Sequence, residues 1–262
     1  MCRLLAFSFS KKTSNQNKID ILTSFRSLAL TGVVPKTITP GHPDGWGVAL
    51  YQEEQRTPVV YKSTKSADSD RVFIAQAALL LENKITGIAH LRKKTVGELS
   101  SENTHPFTVG AFSFVHNGTV TQKDGGPYYT LRDLCRGSTD SERLFQKFLQ
   151  IKDKEAKDAG GAFVKMIQET KEIYEEYSSL NAMLHTEDKV YIARCYNENH
   201  PKSEVLGFED YYTIYLGKCK DGTIIFSSEK IITTDVEYSL LPNYSVTVLD
   251  LASNEISTIP IY

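Results

Sequence analysis

The sequence predicts an α+β fold of two sheets flanked by helices, and three observations carry that prediction. Short apolar, β-branched and aromatic runs dominate residues 2–120, two amphipathic patterns of helical period occupy the middle, and strand patterns return after residue 180. Strands, then helices, then strands describe segregated rather than alternating elements.

Each element follows from local chemistry. Strands are expected at 2–9, in "DGWGVALY" (44–51), "PVVYKS" (58–63), "ITGIAHLRK" (85–93) and "AFSFVHNGTV" (111–120). Helices are expected at 18–31 and 69–82, the second introduced by "SADSD", whose Ser and Asp oxygens suit the unpaired amides of a first turn. A central helix begins in "GSTDSERLFQKFLQ", where Thr139 and Glu142 have capping-box spacing. Another begins near Gly161, with Phe163, Met166, Ile167, Ile173 and Tyr177 on one apolar face. Beyond residue 180, "NAMLHTEDKVYIARCY", "YYTIYLGKCKDGTIIFSSE" and "YSVTVLDLASNEISTIPIY" read as hairpins turning at Glu-Asp, Asp-Gly and Ser-Asn. With no repeat and no Pro/Gly-rich linker, one domain over 2–262 is expected.

Composition excludes several classes of function. A formal charge of −2 over 262 residues leaves no basic stripe for nucleic acid, and Lys93 with Lys94 does not make one. No run approaches the roughly 20 apolar residues of a membrane span. Cys2, Cys135, Cys195 and Cys219 are scattered without CxxC spacing. Arg3 and the pair Lys11 and Lys12 break up any secretory signal, so a reducing cytoplasmic setting is expected. The six histidines include no HxH or HxxxH pair, and neither a metal site nor a cofactor is expected. His90 and His116, inside apolar strands, read as structural, and His105 as a loop organiser. "GHPDGWGVALY" lacks phosphate-loop spacing; its glycines suit close backbone approach, and Trp46 is a candidate pocket wall.

The candidate chemistry begins at Cys2. If Met1 is trimmed, one residue carries a thiol and a free α-amine whose usual pKa of about 7.7–8.0 makes it a base near neutral pH. The competing reading is a small hydrophobe packed in the first strand, and on position alone it is the simpler one. Asn117-Gly118 spells a type I′ hairpin turn, or an oxyanion hole built from a side-chain amide and a backbone N–H. Asp140, at a helix start, reads as a dipole partner or as a carboxylate for a ligand ammonium. Arg92, where a strand runs into a loop, suits either surface or a carboxylate grip.

In order along the chain, Cys2, "GIAHLR", "ENTHPF", "HNG" and "TDSE" together resemble a class II glutamine amidotransferase domain of the N-terminal-nucleophile hydrolase superfamily. "MCRLLAF" with "DGWGVALY" is similar to the stand-alone branch, whose members include γ-glutamyl hydrolases of ergothioneine synthesis and glutathione breakdown. The resemblance implies a four-layer αββα sandwich of two mainly antiparallel sheets. It also implies Cys2 as nucleophile, Asn117 and Gly118 as oxyanion donors, Arg92 on the substrate α-carboxylate and Asp140 on its α-ammonium. The substrate would be glutamine or another γ-glutamyl compound, and the acceptor water or a site on a partner protein; a homodimer is a further expectation. Where synthase-fused members follow the Arg with an aromatic residue, this chain has Lys93, Lys94, Thr95, Val96 and Gly97, with Thr95 as a candidate substrate contact. That departure also admits a non-catalytic relative that binds a γ-glutamyl metabolite or a partner. A hydrolase using Cys135 or Cys195 with an internal histidine is the third alternative.

Overall fold

A computed structural model describes residues 2–36, 38–52, 57–73, 85–121, 126, 129–155, 158–174, 176–231 and 235–261. The strands are β1 (Arg3–Ser8), β2 (Trp46–Gln52), β3 (Val59–Ser63), β4 (Ile85–Leu91), β5 (Phe107–Val109), β6 (Phe112–Asn117), β7 (Asn181–His185), β8 (Lys189–Arg194), β9 (Tyr215–Cys219), β10 (Ile224–Ser227), β11 (Val236–Leu240), β12 (Ser245–Asp250) and β13 (Ile256–Pro260). Among the described residues the α-helices are α1 (Asn15–Thr31), α2 (Asp140–Glu155), α3 (Ala159–Ile173) and the single turns α4 (Ser203–Leu206) and α5 (Phe208–Tyr211), with a 3-10 helix at Tyr129–Leu134. One sheet runs β11-β9-β10-β1-β4-β2-β3 and the other β13-β12-β8-β7-β6-β5. Every pairing is antiparallel.

Strand period explains the layers. In β1, Leu4 and Ala6 face the second sheet, joining Val115, Met183 and Ile192, while Leu5 and Phe7 face the opposite way with Phe25 of α1. On the outer face of the second sheet, Phe114, Leu184 and Val246 pack against Phe145 and Phe148 of α2 and Phe163 and Met166 of α3. Three stacked cores thus separate four layers, α, β, β and α. That is the expected αββα sandwich. Among the described residues no helix is long and apolar enough to cross a membrane.

Several boundaries differ from expectation for identifiable reasons. Helix α1 starts three residues early because Ser14 accepts the Asn17 amide at 3.1 Å, and its polar first turn carries no apolar period. In α3 the cap is Asp158, which accepts the Gly161 amide at 2.9 Å, and the helix ends at Ile173. Tyr177 reaches the same core from beyond the helix. The helix expected over 69–82 falls largely outside the described residues. Trp46 walls no pocket: it is fully buried, donates to Asp70 Oδ2 at 3.1 Å and meets Phe73 edge-on at 5.0 Å. The next residue does meet the glycine expectation, because a Cβ on Gly47 would lie 2.0 Å from the His105 carbonyl oxygen.

Buried neutral histidines make the fold sensitive to acid. His185 stacks on Tyr51 at 3.7 Å between centroids, bonds Thr86 Oγ1 at 2.9 Å, and has its pKa driven down to about 3 by burial. Burial also lowers His90, His105 and His116. The unfolded chain takes up these protons below the ordinary value of 6.5, and the folded chain only at lower pH, far lower for His90, His105 and His185. Their contribution is therefore intact above pH 6.5 and is lost as pH falls toward the depressed values, by ~1.4 kcal/mol per pH unit for each histidine. A melting temperature that falls steadily from pH 7 to pH 5 is expected, with a shallower slope in His185→Gln; a flat profile contradicts it.

Candidate active site

The site forms where the two sheets meet. β1 pairs with β4 in the register Arg3↔Leu91, so one step further sets Cys2 opposite Arg92. From the other sheet, β6 ends at Asn117, whose Oδ1 accepts the Cys2 amide at 2.7 Å. The Cys2 sulfur lies 3.9 Å from the Lys93 carbonyl oxygen. Cys2 is therefore buried, as the packing reading expects, and its backbone is joined to a polar corner.

Asn117 is completely buried, and its Nδ2 makes no hydrogen bond of ordinary geometry; the Tyr211 phenol is its neighbouring polar group. An orphan buried donor costs about 1–3 kcal/mol, and a ligand oxygen would relieve that cost. The hairpin reading of Asn117-Gly118 fails, since neither residue has the positive φ that a type I′ turn requires. Glycine is needed there for space: a Cβ on Gly118 would stand 1.8 Å from the Ser179 carbonyl oxygen and 2.8 Å from His116 Nε2. His116 is structural, bonded to Ser141 Oγ at 2.9 Å and to the Ser179 carbonyl at 3.1 Å.

Asp140 opens α2 and joins this corner through the backbone. Its Oδ2 accepts the Val120 amide at 2.7 Å and its Oδ1 the Ser141 amide at 2.9 Å. Half of the expected capping box is present, with Thr139 Oγ1 accepting the Glu142 amide at 3.2 Å. The Glu142 carboxylate turns instead to the amides of Arg136 and Gly137.

Arg92 is buried, not a surface side chain. Its guanidinium donates to the carbonyls of Val96 at 3.0 Å and Glu98 at 3.1 Å, bracing the loop from Lys93 to Leu99. Burial lowers its pKa, and the charges of Cys2 and Asp44 oppose that shift, which places the cation within electrostatic reach of the sulfur. Thr95 is exposed on the braced loop. Cys2 and the Asn117-Gly118 corner thus come together directly, with Asp140 and Arg92 bordering them and Thr95 exposed on the loop that Arg92 braces.

The other cysteines are poor nucleophiles. Burial pushes the thiols of Cys135 and Cys195 up to about 12, which keeps them protonated. The His90 and His105 rings lie 4.1 Å apart between centroids and tilted by 31° in the interior, held neutral by burial. Among the described residues no three His, Cys, Asp or Glu side chains gather as metal ligands.

Sequence reasoning missed two contributors. Arg3 is fully buried, pairs with Glu229 Oε1 at 2.5 Å and lies over the Tyr211 ring at 4.5 Å. Its signal was a cation inside an apolar run. Tyr211 donates from Oη to the Cys2 carbonyl at 3.3 Å, and nothing in its surroundings in the sequence marked it.

Comparison with known proteins supplies the family. A family model described as "Glutamine amidotransferases class-II" matches residues 1–204. Similar curated proteins include "Probable glutamine amidotransferase DUG3" of Saccharomyces cerevisiae, 32% identical over 126 residues, which are 44% of this chain and 35% of the relative. YafJ of Escherichia coli is 32% identical over 154 residues, 55% of this chain and 52% of YafJ. The chain therefore spans about a third to a half of the length of these relatives. Among solved structures, a glutamine aminotransferase class-II domain protein from Silicibacter pomeroyi superposes with a TM-score of 0.60 at 19% identity, covering 100% of both chains. Glutamine phosphoribosylpyrophosphate amidotransferase from B. subtilis gives 0.64 at 12% identity, covering 100% of this chain and 49% of that one. At such identities the solved structures speak for the fold, which is that of the N-terminal-nucleophile hydrolases. With the family model spanning most of its residues, the chain belongs to the class II glutamine amidotransferases.

Proposed function

We propose that this chain cleaves the γ-glutamyl amide bond of glutamine or a related γ-glutamyl compound through a thioester on Cys2. One observation carries the reading: the Cys2 nitrogen rests on Asn117 Oδ1 at 2.7 Å while the Nδ2 of the same amide has the Tyr211 phenol beside it but no hydrogen bond of ordinary geometry. Removal of Met1 would turn that nitrogen into a free amine. The amine takes the thiol proton, the sulfur attacks the γ-carbonyl, and the oxyanion takes up the Asn117 Nδ2 donor with the Gly118 N–H. Collapse breaks the C–N bond, and the proton on the amine passes to the departing ammonia or amine. Water, activated by the same amine, then hydrolyses the thioester to free glutamate.

Arg92 and Asp140 are proposed to fix the other end of the substrate. Each terminal guanidinium nitrogen that braces the loop retains a second N–H for the α-carboxylate. The Asp140 oxygens that accept backbone amides retain lone pairs for the α-ammonium. Holding both charges orients the carbonyl against the sulfur. Ammonia would be released to solvent or delivered to an acceptor site on a partner protein.

Intact mass and exposure to diazo-oxo-norleucine, a glutamine-like electrophile, test the reading together with glutamate release from glutamine and γ-glutamyl peptides. Loss of Met1, one label on Cys2 and measurable release are expected. A protein that keeps Met1 and takes no label is the non-catalytic binder instead. Asn117→Asp keeps the oxygen under the Cys2 nitrogen and removes the donor, so kcat should fall by at least about 10²-fold. An unchanged kcat removes Asn117 from the oxyanion site.

A further inference from the structure

The segment after residue 204 lies outside the family-matched residues, yet it reaches both halves of the site. Tyr211 and Tyr212, each 1% exposed, sit where α5 ends, with their rings edge-on at 4.8 Å. Tyr211 turns toward the nucleophile. Its Oη donates to the Cys2 carbonyl at 3.3 Å, its own carbonyl accepts from Arg3 Nη1 at 3.4 Å, and the Arg3 guanidinium covers its ring.

Tyr212 turns toward the oxyanion corner. Its Oη donates to Ser178 Oγ at 2.9 Å, and that oxygen also accepts the Thr119 amide at 2.9 Å, one residue past Gly118. Its carbonyl accepts from Asn181 Nδ2 and Arg194 Nε, both at 3.1 Å, anchoring the pair to the second sheet. Burial holds both phenols above their ordinary pKa, so both remain protonated donors.

We infer that Tyr211 and Tyr212 are positioning residues, a two-ring clasp that sets the distance between the Cys2 nucleophile and the Asn117-Gly118 corner. The two halves come from different sheets, and this dipeptide bonds to both. The inference rests on the proposed γ-glutamyl chemistry for its activity readout. Misplacing a nucleophile by about 1 Å costs rate on the order of 10²-fold, so removing one strut of the clasp should cost about tenfold or more.

The test uses the full chain and compares Tyr211→Phe, Tyr212→Phe and a remote control, Tyr238→Phe, which deletes a phenol bonded to the Ile231 backbone. Diazo-oxo-norleucine labelling gives the number of competent sites and the rate constant per site; glutamine hydrolysis gives kcat and KM. Expected are one label per chain, a labelling rate and kcat per labelled site about tenfold lower in both clasp variants, KM within about twofold, and no change in the control. Fewer labelled sites with an unchanged rate per site would mean a purely structural role and would overturn the inference, as would rates within about twofold of wild type in both variants. If Tyr211→Phe does not fold, Tyr212→Phe decides alone. Wild type that takes no label and releases no glutamate defeats the proposed function, whereas active wild type with unaffected clasp variants defeats only the clasp.

Discussion

Glutamate release from glutamine is expected to fall by about 10³-fold or more in Cys2→Ala, with the melting temperature within a few degrees of wild type. The two outcomes separate because the side chain does little for the fold. Its sulfur reaches one polar partner, the Lys93 carbonyl at 3.9 Å, while the contacts that hold the start of β1 run through the backbone: the Cys2 nitrogen on Asn117 and the Cys2 carbonyl under Tyr211. Alanine keeps those backbone contacts and removes only the nucleophile. Cys135 and Cys195 cannot replace it, since burial keeps both thiols protonated. Glutamate release that survives Cys2→Ala undiminished would falsify the assignment.

Gly118→Ala should have the largest effect on stability, a loss of about 3–5 kcal/mol, because overpacking against backbone has no cheap relaxation. The added methyl would overlap the Ser179 carbonyl, with its carbon 2.6 Å away and its oxygen nearer still. That carbonyl cannot easily move: Ser179 pairs with Tyr196 in a β-bridge, and the neighbouring Ser178 amide donates to Thr119 at 2.9 Å. Gly110→Ala is the comparison, since its Cβ would meet nothing within 4 Å and its φ of +56° leaves only backbone strain. Such strain costs about 1 kcal/mol. Chemical denaturation of both variants checks the contrast, and equal losses would refute the steric account.

Legibility in the sequence followed the range of the forces involved. β1, β2, β4, β6 and the three hairpins were readable because each announces itself within ten residues, by alternation or by a turn pair such as Asp221-Gly222, where Gly222 has a φ of +89°. β5, β11, α4 and α5 were not, being three to five residues long, too short for any period to register. The site was legible for a different reason: "GIAHLR", "HNG" and "TDSE" in that order after Cys2 marked the family, although each had an ordinary structural explanation alone. In the structure those ordinary roles persist. Arg92 braces a loop and Asp140 ties a helix start to Val120, so the residues proposed to grip substrate also hold the scaffold.

By itself, then, the sequence determined the αββα class, the family and the candidate nucleophile, because periodicity and ordered short motifs are properties of neighbours along the chain. Only tertiary structure decided that Gly118 serves a steric need rather than a turn, that Trp46 is core, that Arg92 is buried as a loop brace, and that Tyr211 closes over Cys2 from 209 residues away. Those outcomes depend on which strand lies across from which and on what occupies the space between sheets. Pairing across sheets is set by the packing of the whole chain, and no local window of residues contains it.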